Sequence, residues 1–248
     1  MRLGIVGCGL IGRKRAAAAV ESGAHVTCVA DINFARASDL AARFGADASD
    51  DWRKVVESDV DAVVVAVTHD LLATIALAAV KAGKHVLVEK PGGRNAEEVA
   101  PIVEAARAKG RVVKAGFNHR FHPSFLKARE IVDSGALGPL MYIRGRYGHG
   151  GRKGYENEWR CVKDVSGGGE LIDQGVHLID LSLWFLGDLK IAFAMTPTYF
   201  WNVTVDDNCF LALTNTANKL AWLHATWTEW KNTFSFEISG RDGKLTVD

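Results

Sequence analysis

Paired and clustered cysteines are missing from this chain. Cys8, Cys28, Cys161 and Cys209 lie far apart, with no CxxC among them and no grouping at metal-ligand spacing. That excludes a disulfide framework and a structural zinc site, and the reading is reduced thiols in a cytoplasmic protein. An excess of one charge is also missing. The 30 Lys and Arg against 29 Asp and Glu leave a formal charge of +1, which gives no electrostatic reason for a nucleic-acid or membrane partner. No apolar run approaches the ~20 residues of a membrane span. The N-terminus reads as a buried strand, without the basic segment, apolar core and cleavage site of a secretory signal. Repeats and low-complexity segments are absent. What is present is 248 residues with 48% apolar content, enough for one large or two modest cores.

The first ~117 residues alternate short apolar strands with helical stretches, a pattern that requires a parallel sheet covered on both faces. Strands are expected at Leu3–Val6, His25–Ala30, Ala62–Ala66, His85–Glu89 and Val112–Phe117. Helices are expected at Ile11–Ser22, Phe34–Phe44, Leu71–Ala82 and Ala96–Lys109. Gly23, Gly45, Gly83 and Gly110 each stand just past a helix end, where a left-handed residue is wanted. After Asn118 the pattern changes. A helix at Pro123–Asp133, a strand at Met141–Tyr147, a polar loop over 148–166 and a helix at Gly169–Phe185 precede a run of strands. Those are Ile191–Trp201, Cys209–Asn215, Leu220–Trp230, Phe234–Ser239 and Leu245–Val247, read as a mainly antiparallel meander. The expected fold class is α/β: a doubly wound Rossmann domain (1–118), then an α+β domain with an open sheet (119–248). Asp248 follows a short strand directly, so the second domain reads as C-terminally short.

Gly7-Cys8-Gly9-Leu10-Ile11-Gly12 follows a strand, opens a helix and precedes Asp31 at the end of the next strand. In that context GxGxxG reads as a dinucleotide site. Gly7 makes the turn, Gly9 admits a pyrophosphate, Gly12 lets helix and strand approach, and the helix N-terminus offers N–H groups to the diphosphate. Asp31 would accept from the adenosine ribose hydroxyls and repel a 2′-phosphate, favouring NAD over NADP; Arg36 nearby acts against that preference. Binding of S-adenosylmethionine by a similar glycine loop is the alternative. Thr68 and His69 follow a strand end, where ligands of open α/β sheets lie; His69 also fits an ordinary helix start.

Two short signatures carry the chemistry. Glu89-Lys90-Pro91 ends an apolar strand, and Asp173-Gln174-Gly175-Val176-His177 opens a helix after Gly167-Gly168-Gly169. Asp173 and His177 are four residues apart, hence on one helical face, with Asp180 extending the stripe. Oxidising an alcohol removes a hydride from carbon and a proton from oxygen, so a dehydrogenase needs a base and a group to hold the oxygen. Histidine titrates near neutrality and lysine donates to oxygen. Taken singly, Lys90 reads as a surface lysine, Asp173 as a first-turn acid and His177 as an interior histidine. A zinc site from His177, Asp173 and Cys161 lacks a third and fourth ligand of the usual kind. In the loop, Arg152, Lys153 and Arg160 suit phosphate or carboxylate, and Tyr155 and Trp159 suit stacking on a sugar or base; a solvated loop with aromatic anchors reads equally well.

The glycine loop, Val88-Glu89-Lys90-Pro91, the segment from Gly116 through Asn118, His119 and Arg120 to Pro123, and Gly167 to His177 resemble the glucose–fructose oxidoreductase, inositol dehydrogenase and MocA family over essentially the whole chain. The resemblance implies NAD and a sugar or cyclitol substrate, with Lys90, Asp173 and His177 acting at the carbon-bound oxygen. It implies Glu89, Pro91, Asn118 and Arg120 on the cofactor side. The segments around Arg146–Arg152, Tyr155–Arg160 and Trp227–Trp230 look similar to enzymes acting on sugar nucleotides. The expected activity is NAD-dependent oxidation of a secondary hydroxyl. The alternatives are a redox-neutral glycoside hydrolase that keeps its NAD and a non-catalytic NAD-binding sensor or structural subunit. Tryptophans on both faces of the Leu220–Trp230 strand predict a homodimer or homotetramer formed through the second sheet.

Overall fold

Strand β1 (Arg2–Val6) lies inside a six-stranded, all-parallel sheet, flanked in it by His25–Ala30 and Ala62–Val65. The computed structural model describes residues 1–248 and divides into two compact units, Met1–Gly116 and Phe117–Asp248. In the first unit the chain continues through α1 (Leu10–Glu21), β2 (His25–Ala30), α2 (Phe34–Phe44), β3 (Asp47–Ser49), α3 (Trp52–Glu57) and β4 (Ala62–Val65). It then forms α4 (His69–Lys81), β5 (His85–Val88), α5 (Ala96–Lys109) and β6 (Val113–Ala115). Strand alternation divides the apolar side chains between two cores. Val63 and Val65 join Leu72, Ile75 and Val80, whereas Ile5 and Val64 join Val29, Ala37 and Leu40. Burial on both faces explains why these strands read as unbroken apolar runs.

The four expected helix stops all adopt positive φ, between 60° and 81°. Strand β3 and helix α3 escaped the sequence reading, because three and six residues are too short to show a period. Helix α3 starts from a local cap instead, the Asp51 carboxylate accepting from Arg53 N at 3.0 Å.

The second unit opens with a 3₁₀ turn (Asn118–Phe121) and α6 (Pro123–Asp133), followed by β7 (Leu140–Gly148). Two more 3₁₀ turns (Tyr155–Asn157 and Trp159–Cys161) and the short α7 (Lys163–Ser166) lead into a π-helical turn (Leu171–Gly175) and α8 (Val176–Leu186). Strands β8 (Lys190–Met195), β9 (Asn208–Thr214), β10 (Leu220–Thr226), β11 (Thr233–Gly240) and β12 (Lys244–Val247) complete it. The sheet order is β12-β11-β7-β10-β9-β8, with β7 and β10 parallel and the other pairs antiparallel. The sheet is mainly antiparallel as expected, but the expected meander is interrupted, since β7 enters between β10 and β11.

One face of this sheet is sealed. Leu178, Leu181 and Phe185 of α8 and Phe125 of α6 pack with Ile143, Leu211, Leu223, Phe236 and Ile238 of the strands. The expected strand Ile191–Trp201 stops at Met195. Beyond it, the N–H groups of Tyr199, Phe200 and Trp201 turn to the Asp207 carboxylate at 2.8–3.0 Å, which removes them from any ladder. Likewise β10 ends at Thr226. Trp227 is fully buried beside Tyr155, Cys161 and Val205, and Trp230 is 90% exposed.

Candidate active site

The glycine loop of the first unit is shaped by what cannot fit in it. A Cβ on Gly12 would lie 1.8 Å from the Gly7 carbonyl oxygen, and one on Gly7, at φ +95°, would lie 2.2 Å from the Ala66 oxygen. A Cβ on Gly9 would meet nothing within 4 Å. Gly7 and Gly12 thus serve packing, while Gly9 leaves open space at the N-terminus of α1. That terminus has no side-chain cap and no acidic residue in its first turn, so its N–H groups and positive end stay available to an anion. The Asp31 carboxylate accepts from Cys8 N (2.8 Å) and Asn33 N (2.9 Å), which orients it and leaves each oxygen a further lone pair. Leu10 and Ile11 are exposed beside this opening. These residues fit a dinucleotide: Gly9 and the start of α1 for the diphosphate, Asp31 for the ribose hydroxyls. Burial, then the neighbouring Asp31 charge, pushes the Cys8 thiol up to about 12, so it is an inert filler of the turn.

Thr68 stands at the start of α4 without a side-chain cap bond, and His69 is buried in the helix's first turn. Glu89 follows β5 and pairs with Arg15 of α1 at 2.6 Å. A Cβ on Gly116 would meet that carboxylate at 2.9 Å, so the glycine makes room for the pair. The Lys90–Pro91 peptide bond is cis.

In the second unit, Asp173 and His177 are 7% and 6% exposed. The expected regular helix is interrupted between them: Asp173 belongs to the π turn and His177 to the first turn of α8. Asp206 anchors this entry, its carboxylate accepting from Gly169 N (2.8 Å) and Leu171 N (2.7 Å). A Cβ on Gly169 would lie 1.8 Å from the Asp206 carbonyl oxygen, which gives that glycine its physical reason. Arg160 Nε reaches Asp173 Oδ2 at 3.1 Å, with its guanidinium over the Trp159 ring at 4.7 Å. His177 Nδ1 lies 2.8 Å from Nδ1 of His119. Tyr147 borders both histidines, and burial, then Glu170 and Asp173, pushes its phenol up and keeps it protonated.

The structure gives several of the named residues protein surroundings of their own. Tyr155, read as a stacking residue, is 5% exposed and packs on Trp227, Trp201 and His149, so it is core. Arg120, read as a cofactor contact, is held by both carboxylate oxygens of Asp180 at 2.7 Å. This pair ties the 3₁₀ turn to α8. Arg152 pairs with Glu158 at 2.5 Å and leaves the loop surface exposed, and Asn118 is exposed in the 3₁₀ turn. His119, Arg15 and Asp206 were missed. His119 stands in the Gly116–Pro123 segment, and neither it nor Asp206 carries a period that betrays a long-range partner.

Residues 1–117 match an oxidoreductase family with an NAD-binding Rossmann fold, and residues 125–246 match the Gfo/Idh/MocA C-terminal domain. The chain belongs to the Gfo/Idh/MocA family. Among its relatives in that family is a levoglucosan dehydrogenase of Pseudarthrobacter phenanthrenivorans, 33% identical over 175 residues, 69% of this chain and 45% of the other. Inositol 2-dehydrogenase 2 of Saccharopolyspora erythraea is 36% identical over 203 residues, 79% of this chain and 57% of that one. The chain spans about half the length of these curated relatives. A solved levoglucosan dehydrogenase in complex with NADH and levoglucosan covers 100% of this chain and 73% of its own, at 28% identity and a TM-score of 0.92. As a Gfo/Idh/MocA protein, the chain carries an NAD-binding Rossmann domain followed by that family's mixed, mainly antiparallel sheet.

Proposed function

We propose that this protein oxidises a secondary hydroxyl of a sugar, sugar nucleotide or cyclitol with NAD. The observation that carries the reading is the buried pair Asp173 and His177, each held by its own polar partner, Arg160 and His119. Relatives named as levoglucosan dehydrogenase, inositol 2-dehydrogenase and a dTDP-sugar 3-reductase support the substrate class. The nicotinamide, when bound, supplies the hydride acceptor. His177 is assigned the hydroxyl proton, Lys90 a hydrogen bond to substrate oxygen, and Asp173 the orientation of the substrate through a neighbouring hydroxyl. Arg160, spent on Asp173, serves the substrate through that carboxylate, and Trp159 offers the remaining aromatic surface in the loop.

Incubation with NAD and levoglucosan, myo-inositol or nucleotide sugars tests this by net NADH formation. NADH released into solution supports the dehydrogenase. Sugar cleavage without net NADH would instead favour the redox-neutral hydrolase.

Self-association through the second sheet belongs to the same reading. Ile191, Phe193 and Met195 of β8 and Trp222 of β10 are 45–71% exposed, and Phe193 stacks on Trp222 at 6.5 Å. A patch of this kind suits a twofold contact with a second copy. Light scattering showing a dimer or tetramer that Trp222→Lys dissociates supports it; a monomeric wild type refutes it. The four free thiols fit a reducing, cytoplasmic setting.

A further inference from the structure

His119 and His177 meet nitrogen to nitrogen, Nδ1 to Nδ1 at 2.8 Å, with ring centroids 4.1 Å apart. Aromatic side chains set both rings. His119 stacks on Phe234 of β11 at 5.8 Å and meets Tyr147 of β7 edge-on at 5.5 Å. Phe117 meets His177 edge-on at 5.9 Å.

Two ring nitrogens this close need one hydrogen between them, because two N–H groups collide and two lone pairs repel. If His177 donates from Nδ1, its Nε2 carries a lone pair. If His119 donates, His177 Nε2 carries the proton instead. Only the first arrangement lets His177 accept a hydroxyl proton. It alone also survives the transfer, since an imidazolium bears both N–H groups and must donate through Nδ1.

We propose that His119 is a positioning residue: it accepts the His177 Nδ1–H and thereby keeps His177 Nε2 as the base for alcohol oxidation. This rests on the dehydrogenase reading. In the step, the substrate O–H bond breaks and its proton forms the Nε2–H bond, while the hydride leaves carbon for the bound nicotinamide. The base requires both rings neutral, with the single shared hydrogen on His177 Nδ1, and an added proton on either ring abolishes it. The titratable groups around them are Tyr147 on β7, kept protonated by burial, and Asp173 and Glu170 at the π turn, whose charges both act on Tyr147. Arg160 offsets Asp173, and the Arg120–Asp180 pair bridges the 3₁₀ turn and α8. Phe234 of β11 adds no charge.

Two substitutions separate positioning from packing. His119→Asn puts an amide oxygen where Nδ1 stood and cannot titrate; His119→Phe keeps a ring on Phe234 but offers no acceptor. Turnover is followed by NADH formation on levoglucosan or myo-inositol. The Asn variant is expected within about threefold of wild type at its alkaline plateau, with a shifted acid limb. The Phe variant is expected to lose about tenfold or more in kcat with KM little changed. A packing role gives the opposite order. Nitrogen NMR of the imidazoles reads the tautomer without any substrate, and His177 should be Nδ1–H in wild type and the Asn variant but Nε2–H in the Phe variant. His177 found as Nε2–H in the wild type, or full turnover in the Phe variant, overturns the proposal. Absence of dehydrogenation in all three proteins would remove the enzymatic reading, while the NMR result would still decide the tautomer.

Discussion

Arg160 stands between two carboxylates, Nε 3.1 Å from Asp173 Oδ2 and an Nη 3.3 Å from Glu158 Oε2. A guanidinium beside a buried carboxylate favours its ionised form. Arg160→Gln should therefore lower kcat by about tenfold. NADH affinity should stay unchanged, because the diphosphate and ribose sites are assigned to the glycine loop and Asp31. A variant with wild-type turnover would show that the ion pair serves only the fold.

Asp206 supplies two charge-assisted hydrogen bonds to the backbone that enters the π turn. Asp206→Ala is expected to destabilise the protein by about 2 kcal/mol or more, on the scale of lost bonds to a charged acceptor. Turnover should fall further than occupancy explains, because Asp173 sits in that turn. Urea melts measure the first effect, and kcat at saturating substrate measures the second. An unchanged urea midpoint would contradict the anchoring role.

Three buried thiols give the fold an alkaline limit. Burial is the main reason that Cys8 and Cys209 are pushed up to about 12 and Cys161 to about 11. An unfolded thiol ionises near pH ~8.5, so above that value the unfolded state sheds protons the folded state keeps. The stabilisation is complete below pH ~8.5 and is lost as pH rises toward the folded values, by at most about 1.4 kcal/mol per pH unit for each thiol. Denaturant midpoints at pH 8 and pH 10 should differ accordingly, and Cys209→Ala should shrink the difference. An equal drop in that variant would rule out the thiol contribution.

Asp31 is held by Cys8 N and Asn33 N with its remaining lone pairs assigned to ribose hydroxyls. Calorimetry at one salt concentration should show tighter binding of NADH than of NADPH, and Asp31→Ser should narrow the gap. Equal or tighter NADPH binding by the wild type would implicate Arg36 as a phosphate partner and overturn the cofactor preference.

The Rossmann half was legible because its signals are local. Apolar runs of Val and Ile mark strands buried on both faces, and Gly23, Gly45, Gly83 and Gly110 mark helix ends that indeed take positive φ. In the second half the local signals persisted while the long-range ones were silent. Strand β7 was found, yet nothing in its residues announced a place between β10 and β11. Asp173 and His177 were named from a spacing that implies a regular helix, and the π turn that holds Asp173 was not visible in it. Tyr155 was misread because an aromatic residue in a polar loop looks available; Trp227, Trp201 and His149 cover it only after the chain folds. His119 illustrates the same limit, its partner lying 58 residues away.

Hydride transfer from the substrate carbon is the central claim, and isotope tracing tests it most directly. The protein is incubated with NAD and myo-inositol or levoglucosan carrying deuterium at the ring carbons, and the recovered cofactor is examined by mass spectrometry. The account predicts deuterium on the nicotinamide ring with the wild type. It predicts a loss of about a hundredfold or more in the rate of labelling with Lys90→Met or His177→Ala, at unchanged NADH affinity. Unlabelled cofactor alongside converted sugar, or wild-type labelling by both variants, would contradict it.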